Sequence, residues 1–317
     1  MSLPDVTVVV PAFNERRFIA DMMTTLRRST KDVRAQVIVV DNGSTDGTAD
    51  AARAAGADLV LEVPGTVAAI RNEGARHATG SVLVFLDADV FVTKAWAARI
   101  PGVIQEARRR RIVTGSWVAV PARSSWIETH WFSPLQHGGN SHINSGHLIV
   151  SRTFFWELGG FDSSLVTGED VDFSNRARRA GGLIVDDASL KVVHEGYPKT
   201  LKSFFRREIW HGVGDCQTWR AFRNSKVALA GFAVLHLQVI GLLVAVLLKA
   251  PAWFIGAVLV SALISLAASS IRYKSVTLAT RIVTTGLYYI YFVARGVSLY
   301  ARAGMLGSRR HERLEQR

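Results

Sequence analysis

The chain has one cysteine in 317 residues, Cys216, which excludes an internal disulfide and fits a reducing compartment. It has no collagen-like, heptad or other short-period repeat, so fibrous and solenoid architectures drop out. Charge is sparse: 20% of residues are charged against 49% hydrophobic, and the mean hydropathy is +0.18. That balance is too apolar for disorder and slightly too apolar for an ordinary soluble enzyme. Acid nearly vanishes after Lys226. Residues 227–317 hold 10 Lys+Arg and 2 Asp+Glu, net +8, whereas residues 1–226 hold 28 and 24, net +4. The excess positive charge therefore travels with the greasiest stretch. Anionic headgroups account for it better than nucleic acid does, and no nucleic-acid partner is expected. No long apolar stretch precedes the first strand pattern, so no cleavable signal is expected.

What is present falls into two parts, residues 1–226 and residues 227–317. In the first, short β-branched runs alternate with amphipathic stretches. Val6–Pro11, Gln36–Val40, Asp58–Glu62 and Ser81–Leu86 read as strands; Arg16–Ser29, Ala49–Ala55 and Val67–His77 read as helices. That alternation predicts an α/β fold with a largely parallel sheet and helices on both faces. Ligands of such folds collect at the carboxyl ends of the strands.

In the second part, Val227–Leu248 and Pro251–Ile271 are free of formal charge. Each reaches the roughly 20 residues needed to span about 30 Å of hydrocarbon. Joined only by Lys249 and Ala250, they predict a membrane hairpin rather than two core helices. His236 and Gln238 in the first span are expected to face the second helix. Ile282–Tyr300 is ambiguous, because Arg295 interrupts it and Arg281 and Arg302 flank it. It reads as an interfacial or re-entrant helix, with a third span as the alternative. The basic linker Arg272–Arg281 and the four arginines of Ser308–Arg317 place both flanks on the cytoplasmic side.

Four polar motifs sit where strands end. Pro11-Ala12-Phe13-Asn14-Glu15 follows the first, and Asp41-Asn42-Gly43-Ser44-Thr45-Asp46-Gly47-Thr48 follows the second. The latter is a turn by composition, yet it also forms a polar rim over the sheet, with Asp41 placed for a base or ribose. Asp87-Ala88-Asp89 ends Ser81–Leu86. On an extended segment the two carboxylates would point the same way and suit a hard divalent cation bridging two phosphates. Thr167-Gly168-Glu169-Asp170-Val171-Asp172 opens a helix. Acids there complement the dipole, and a carboxylate held there can also act as a base.

Together with Arg71-Asn72-Glu73-Gly74, Asn144-Ser145-Gly146 and Gly159-Gly160-Phe161-Asp162, these motifs resemble the family 2 glycosyltransferases. The resemblance covers about residues 5–215. It implies the nucleotide-diphospho-sugar-binding GT-A fold, a mixed Rossmann-like sheet, followed here by the membrane hairpin and an interfacial or third helix. It implies that Ala12, Glu15, Asp41, Arg71 and Asp87 bind a nucleotide-sugar such as a UDP- or GDP-sugar. Arg71 has a bland alternative as a helix-surface arginine. Asp89, with Asp87, would hold Mg²⁺ or Mn²⁺, and His194 would either add a ligand or serve structure. Asp170 would be the catalytic base and Glu169 would shape the acceptor pocket. Arg206, Arg207 and Trp210 would close over the diphosphate or lie on the membrane. Processive synthases carry a Gln-x-x-Arg-Trp motif that is missing near Arg206–Trp210. The reading is an inverting, metal-dependent, single-sugar transferase at the inner cell membrane, multi-pass, with its catalytic part cytoplasmic. Its acceptor would be lipid-linked or membrane-proximal, for cell-envelope polysaccharide or glycolipid. The alternatives are a polyprenyl-phosphate sugar synthase and, more remotely, a non-catalytic membrane scaffold.

Overall fold

The structure, a computed structural model, describes residues 5–116, 118–133 and 142–315, with side chains up to Ala301. Most of the expected acceptor stretch from Pro121 to His142 is described, but its last part before His142 lies outside. The side chains of Arg302, Arg309, Arg310 and Arg313, and all of Arg317, also lie outside. The chain divides into two compact units: Met1–Arg123 with Leu135–Tyr197, and Ser124–Pro134 with Pro198–Arg317.

The first unit is a mixed α/β layer structure. Its strands are β1 (Val6–Ala12), β2 (Ala35–Asp41), β3 (Leu59–Glu62), β4 (Val82–Leu86), β5 (Val90–Val92), β6 (Ile112–Gly115), β7 (Val118–Ala119), β8 (His147–Ser151), β9 (Leu183–Asp186) and β10 (Val192–His194). Its helices are α1 (Arg16–Ser29), α2 (Thr48–Ala54), α3 (Val67–Arg76), α4 (Lys94–Arg109), α5 (Arg152–Glu157) and α6 (Glu169–Arg179). Seven strands form one sheet in the order β3-β2-β1-β4-β8-β6-β9, and β5-β10-β7 form a small second sheet. In the large sheet β8 alone runs antiparallel to its neighbours, β4 and β6.

The central strands are apolar throughout because both faces are covered. Along β1 and β2, Val8, Val10, Val37 and Val39 point into one apolar cluster with α1 and α4. Val9, Ile38 and Val40 point into the other, with α3 and Phe154, Phe155 and Phe173. That alternation fixes the register, since a one-residue slip would exchange the two cores. It also aims the carboxyl ends of β1, β2 and β4 at one rim.

The second unit is helical: α7 (Leu201–Asp215), α8 (Trp219–Asn224), α9 (Lys226–Leu247), α10 (Ala252–Arg272) and α11 (Leu278–Glu315). The change of composition at Lys226 marks the start of α9. A short π-helical turn, Glu128–Phe132, belongs to this unit. Trp131 packs its ring on Phe204, Tyr288 and Tyr291, and Tyr273 donates its hydroxyl to the Trp131 carbonyl at 2.9 Å. Helices α9, α10 and, over Leu278–Ala301, α11 are long and apolar enough to cross a membrane.

α9 and α10 pack through small residues: a Cβ on Gly241 would lie 2.6 Å from that of Ala257. On α10, Ser261 and Ser265 return their hydroxyls to carbonyls one turn earlier, at 2.8 Å. His236 and Gln238 were expected to face α10. They bond α11 instead, His236 Nε2 to the Tyr300 hydroxyl at 2.6 Å and Gln238 to the Tyr289 hydroxyl. The small-residue stripe of α10 offers no partner long enough to meet them.

Candidate active site

Two loops form the rim over β1 and β2. Asn14 sits in the left-handed region at φ 56°. It is held there because its N–H donates to Ser44 Oγ at 2.8 Å and its side-chain oxygen accepts from Thr45 N–H at 3.0 Å. Glu15 N–H donates to Thr48 Oγ1 at 2.8 Å. The two motifs are thus one knitted edge. Ala12 is buried at the end of β1. Asp41 is 1% exposed and accepts from Ser44 N–H at 2.9 Å and Ser44 Oγ–H at 2.5 Å, so its carboxylate orders its own loop. Burial and the negative charges of Asp89, Asp87 and Asp46 push the Glu15 carboxyl up to about 8. Such a concentration of acid calls for a cation.

Asp87 and Asp89 do not lie on an extended segment. Residues 87–89 form a turn closed by Val90 N–H to the Asp87 carbonyl at 3.0 Å. The strand breaks because β5 must leave the large sheet to pair with β10. The two carboxylates consequently meet different partners. Asp87 Oδ1 accepts from Arg71 Nη2 at 2.5 Å. Asp89 Oδ2 lies 3.7 Å from His194 Nδ1, since His194 is paired with Val90 across the small sheet. His194 also stacks on Tyr197 at 4.1 Å between centroids. A side chain at Gly196 would overlap Asp89 Oδ2, so only glycine lets the chain pass so close.

Arg71 is the centre of the site and not a surface residue. It is 3% exposed on α3, whose N-cap Thr66 accepts from Ala69 N–H at 3.2 Å. Its Nη1 donates to Glu169 Oε1 at 2.7 Å, which also accepts from Ser145 Oγ–H at 2.7 Å. Its buried Nε has no partner among the described residues. The neighbours of Arg71 explain the rest of the motif. Asn72 exchanges hydrogen bonds with the backbone of Phe161, at 2.7 and 2.9 Å, and so holds the Gly159–Asp162 turn. Gly74 lets α3 lie directly on Val9 of β1. Gly146 is required because a Cβ there would come 2.5 Å from Asp87 Oδ2.

Asp170 is the second residue of α6, which starts from Gly168 at φ 83°. Burial, and then the charge of Glu169, push its carboxyl above the ordinary range; His142 and Arg71 pull the other way. His142 Nε2 lies 4.0 Å from Asp170 Oδ2. A carboxylate with a raised pKa at a helix start, flanked by an imidazole, is suited to take a proton at neutral pH.

The Glycosyl transferase family 2 model matches residues 7–158, which carry the knitted rim, the Arg71 centre and the Asp87–Asp89 turn. Residues 7–158 form a family 2 glycosyltransferase domain. The glycosyltransferase AglE of Haloferax volcanii is 27% identical over 239 residues, 71% of this chain and 77% of its own. The pre-mycofactocin glycosyltransferase of Mycobacterium tuberculosis is 28% identical over 223 residues, 66% of this chain and 46% of its own. Among solved structures, the mannosyltransferase PcManGT of Pyrobaculum calidifontis, in complex with GDP-Man and Mn²⁺, superposes with a TM-score of 0.59. It is 22% identical, and the match covers 95% of this chain and 88% of that one. TarS of S. aureus, residues 1–349 with UDP-GlcNAc, matches at TM-score 0.50 and 14% identity, over 95% of this chain and 92% of that one. The family 2 domain therefore has the GT-A fold.

In the sheet unit Arg71 and Asp87 of the matched region meet Glu169 and Asp170 from beyond it, and Asp89 meets His194. Among the described residues no three His, Cys, Asp or Glu side chains form a ready metal cage. Arg207 and Trp210 belong to the helical unit. There Arg207 Nη1 bonds Glu208 Oε1 at 2.6 Å and its guanidinium covers Phe132, while Trp210 is 48% exposed. The sequence reading passed over three contributors. His142 lay in a stretch without a readable motif. Ser145 and Asn72 were seen only as parts of motifs, and the spacing of Ser145 to a buried acid on another element left no linear signal.

Proposed function

We propose that this glycosyltransferase is anchored in the cell membrane and moves one sugar from a nucleotide-sugar, with inversion, to a lipid-linked or membrane-proximal acceptor. The observation that carries the chemistry is Asp170: a half-buried carboxylate with a raised pKa, beside the Arg71-held pair Glu169 and Asp87. Ala12, Glu15 and Asp41 would line the nucleoside end. Asp87 and Arg71 would lie toward ribose and diphosphate, where the unpartnered Arg71 Nε is one donor still to be satisfied. Asp170 takes the proton as the acceptor O–H bond breaks. The acceptor oxygen bonds the anomeric carbon, and the bond from that carbon to the diphosphate breaks, its electrons leaving with the nucleoside diphosphate. One base in line with the leaving group suffices, and no covalent sugar–enzyme intermediate is needed.

A divalent cation, Mg²⁺ or Mn²⁺, fits the residues present. Asp89 offers a hard oxygen, and His194 Nδ1, 3.7 Å away, an imidazole nitrogen that now accepts from Gly196 N–H at 3.1 Å and would exchange that bond for the cation, beside the acid excess that raises Glu15. Asp89, Asp87 and His194 would hold it, and it would supply positive charge to the diphosphate. The membrane reading rests on α9 and α10, which are apolar over lengths that span a bilayer. The basic residues Arg272, Lys274 and Arg281 favour a cytoplasmic catalytic unit. Fixing the site at the bilayer raises the effective concentration of a lipid acceptor.

The test is a donor and acceptor screen on the full chain in nanodiscs, reading released nucleoside diphosphate. Release that needs a lipid-linked sugar or glycolipid and is abolished by EDTA is the expected outcome. Release that needs only polyprenyl phosphate would move the assignment to a polyprenyl-phosphate sugar synthase. Full activity in EDTA would remove the cation.

A further inference from the structure

α11 is long and apolar enough to cross a membrane, yet its contacts are those of a helix lying across the hairpin. Counting from the Gly241–Ala257 contact, Lys226 is level with Arg272, and Gly231 with Ala267. Near its start, α11 bonds the open end of α10: Arg281 Nη1 donates to the Ser269 carbonyl at 2.7 Å, and Thr284 Oγ1 lies 2.7 Å from Ser269 Oγ. Twelve residues later Gly296 meets the backbone of Gly231. Those twelve residues advance α11 by about 18 Å, but the two hairpin contacts differ in depth by only two residues, about 3 Å. A second pair agrees. Tyr289 and Tyr300, three turns apart on one stripe, reach Gln238 and His236, two residues apart. A crossing helix would have carried Tyr300 to the Lys249 end.

Arg295 of α11 leaves its Cβ beside Gly231 of α9 and sends its side chain on toward Gly212 of α7. Arg295, 12% exposed, donates to Glu208 at 3.0 Å and to Asp215 at 3.0 Å, and covers the ring of Tyr291. Those acids lie on a helix that also carries Lys202, Arg206 and Arg207, which cannot be immersed in hydrocarbon. α7 in turn exposes Lys202, Arg206 and Trp210 at spacings of four, one stripe of its surface. α8 continues it with exposed Trp219, Arg220 and Arg223. Glu208 is buried and Asp215 paired, so this surface shows cations and indoles immediately before the first apolar helix.

We infer that α7, α8 and α11 form a layer in the membrane interface, that only α9 and α10 cross, and that the Lys202–Arg206–Trp210 stripe binds anionic lipid headgroups. The inference rests on the membrane anchoring proposed above. Trp suits the headgroup zone, and each cation near an anionic surface adds to the attraction.

The test uses the full chain with Cys216→Ser and single cysteines at Asn224, Lys249 or Ser308. An impermeant maleimide is added before and after the cells are permeabilised. Residues 224 and 308 should share one accessibility and residue 249 the opposite one, whichever way the chain is inserted. Matching behaviour at 308 and 249 would establish a third crossing and overturn the inference. The lipid arm measures phosphatidylglycerol against phosphatidylcholine retained by protein purified from mixed vesicles. Enrichment should fall roughly fivefold per charge removed in Lys202→Gln and Arg206→Gln, and unchanged enrichment would overturn the headgroup assignment. Neither readout needs turnover, so a failed transfer assay leaves them standing. A chain washed off by alkaline carbonate would instead overturn the anchoring on which they rest.

Discussion

Both units hold an arginine largely withdrawn from solvent between two carboxylates, and the two bridges do different work. In the sheet unit Arg71, 3% exposed, ties Glu169 on α6 to Asp87 at the end of β4. Those acids flank the candidate base, so the bridge sets the geometry of a site. In the helical unit Arg295, 12% exposed, ties Glu208 to Asp215, both on α7. That bridge lets a charged residue occupy an apolar helix and holds the helix to its neighbour. A buried ion pair costs desolvation and is weak evidence of stability by itself. What it offers is position, and position matters most where chemistry depends on it.

The comparison can be broken from the chemical side first. Asp170→Asn should lower kcat by ~10²–10⁴ while nucleotide-sugar affinity, read by calorimetry, changes little. Arg71→Met comes next. It strands Glu169 and Asp87, and breaking a buried pair costs about 3–5 kcal/mol, measured by denaturant unfolding; turnover should fall with it. Arg295→Met should cost less, about 1–3 kcal/mol, because the Arg295 side chain is 12% exposed against 3% for Arg71 and so is more screened by solvent. It should lower the thermal midpoint in detergent with a smaller loss of turnover per unit of stability than Arg71→Met. Equal losses of turnover would erase the distinction drawn between the bridges.

The smallest effect is one of pH. The base must be ionised to accept a proton, and the folded environment raises the Asp170 pKa, so activity is lost as pH falls through a value above the ordinary ~3.9. His142→Gln removes a positive influence on Asp170. The acid limb of the kcat profile should move further up.

Much of this was legible in the sequence because the sheet is buried on both faces. The strands of the first half, helices α1 and α3, and the polar rims at strand ends all follow from runs such as VTVVVP and SVLVFL. The hairpin is as plain, because Val227–Leu248 and Pro251–Ile271 are long, apolar and free of formal charge. What stayed hidden depends on contacts between distant elements. The turn at Asp87–Asp89 is imposed by β5 pairing with β10 about a hundred residues later. Arg71 looks like a surface helix residue until Glu169 and Ser145 are placed beside it. Glu128–Phe132 carries no mark of joining the helical unit, since its anchor is Trp131 among Tyr273, Tyr288 and Tyr291. Arg295 reads as an obstacle to burial, because its partners lie on α7.

The central claim is that one carboxylate, Asp170, activates the acceptor for direct displacement. The anomeric configuration of the product tests this most directly, read by proton NMR against whichever α-linked nucleotide-sugar is turned over. A β-linked product, absent with Asp170→Asn, is expected. An α-linked product would contradict the account.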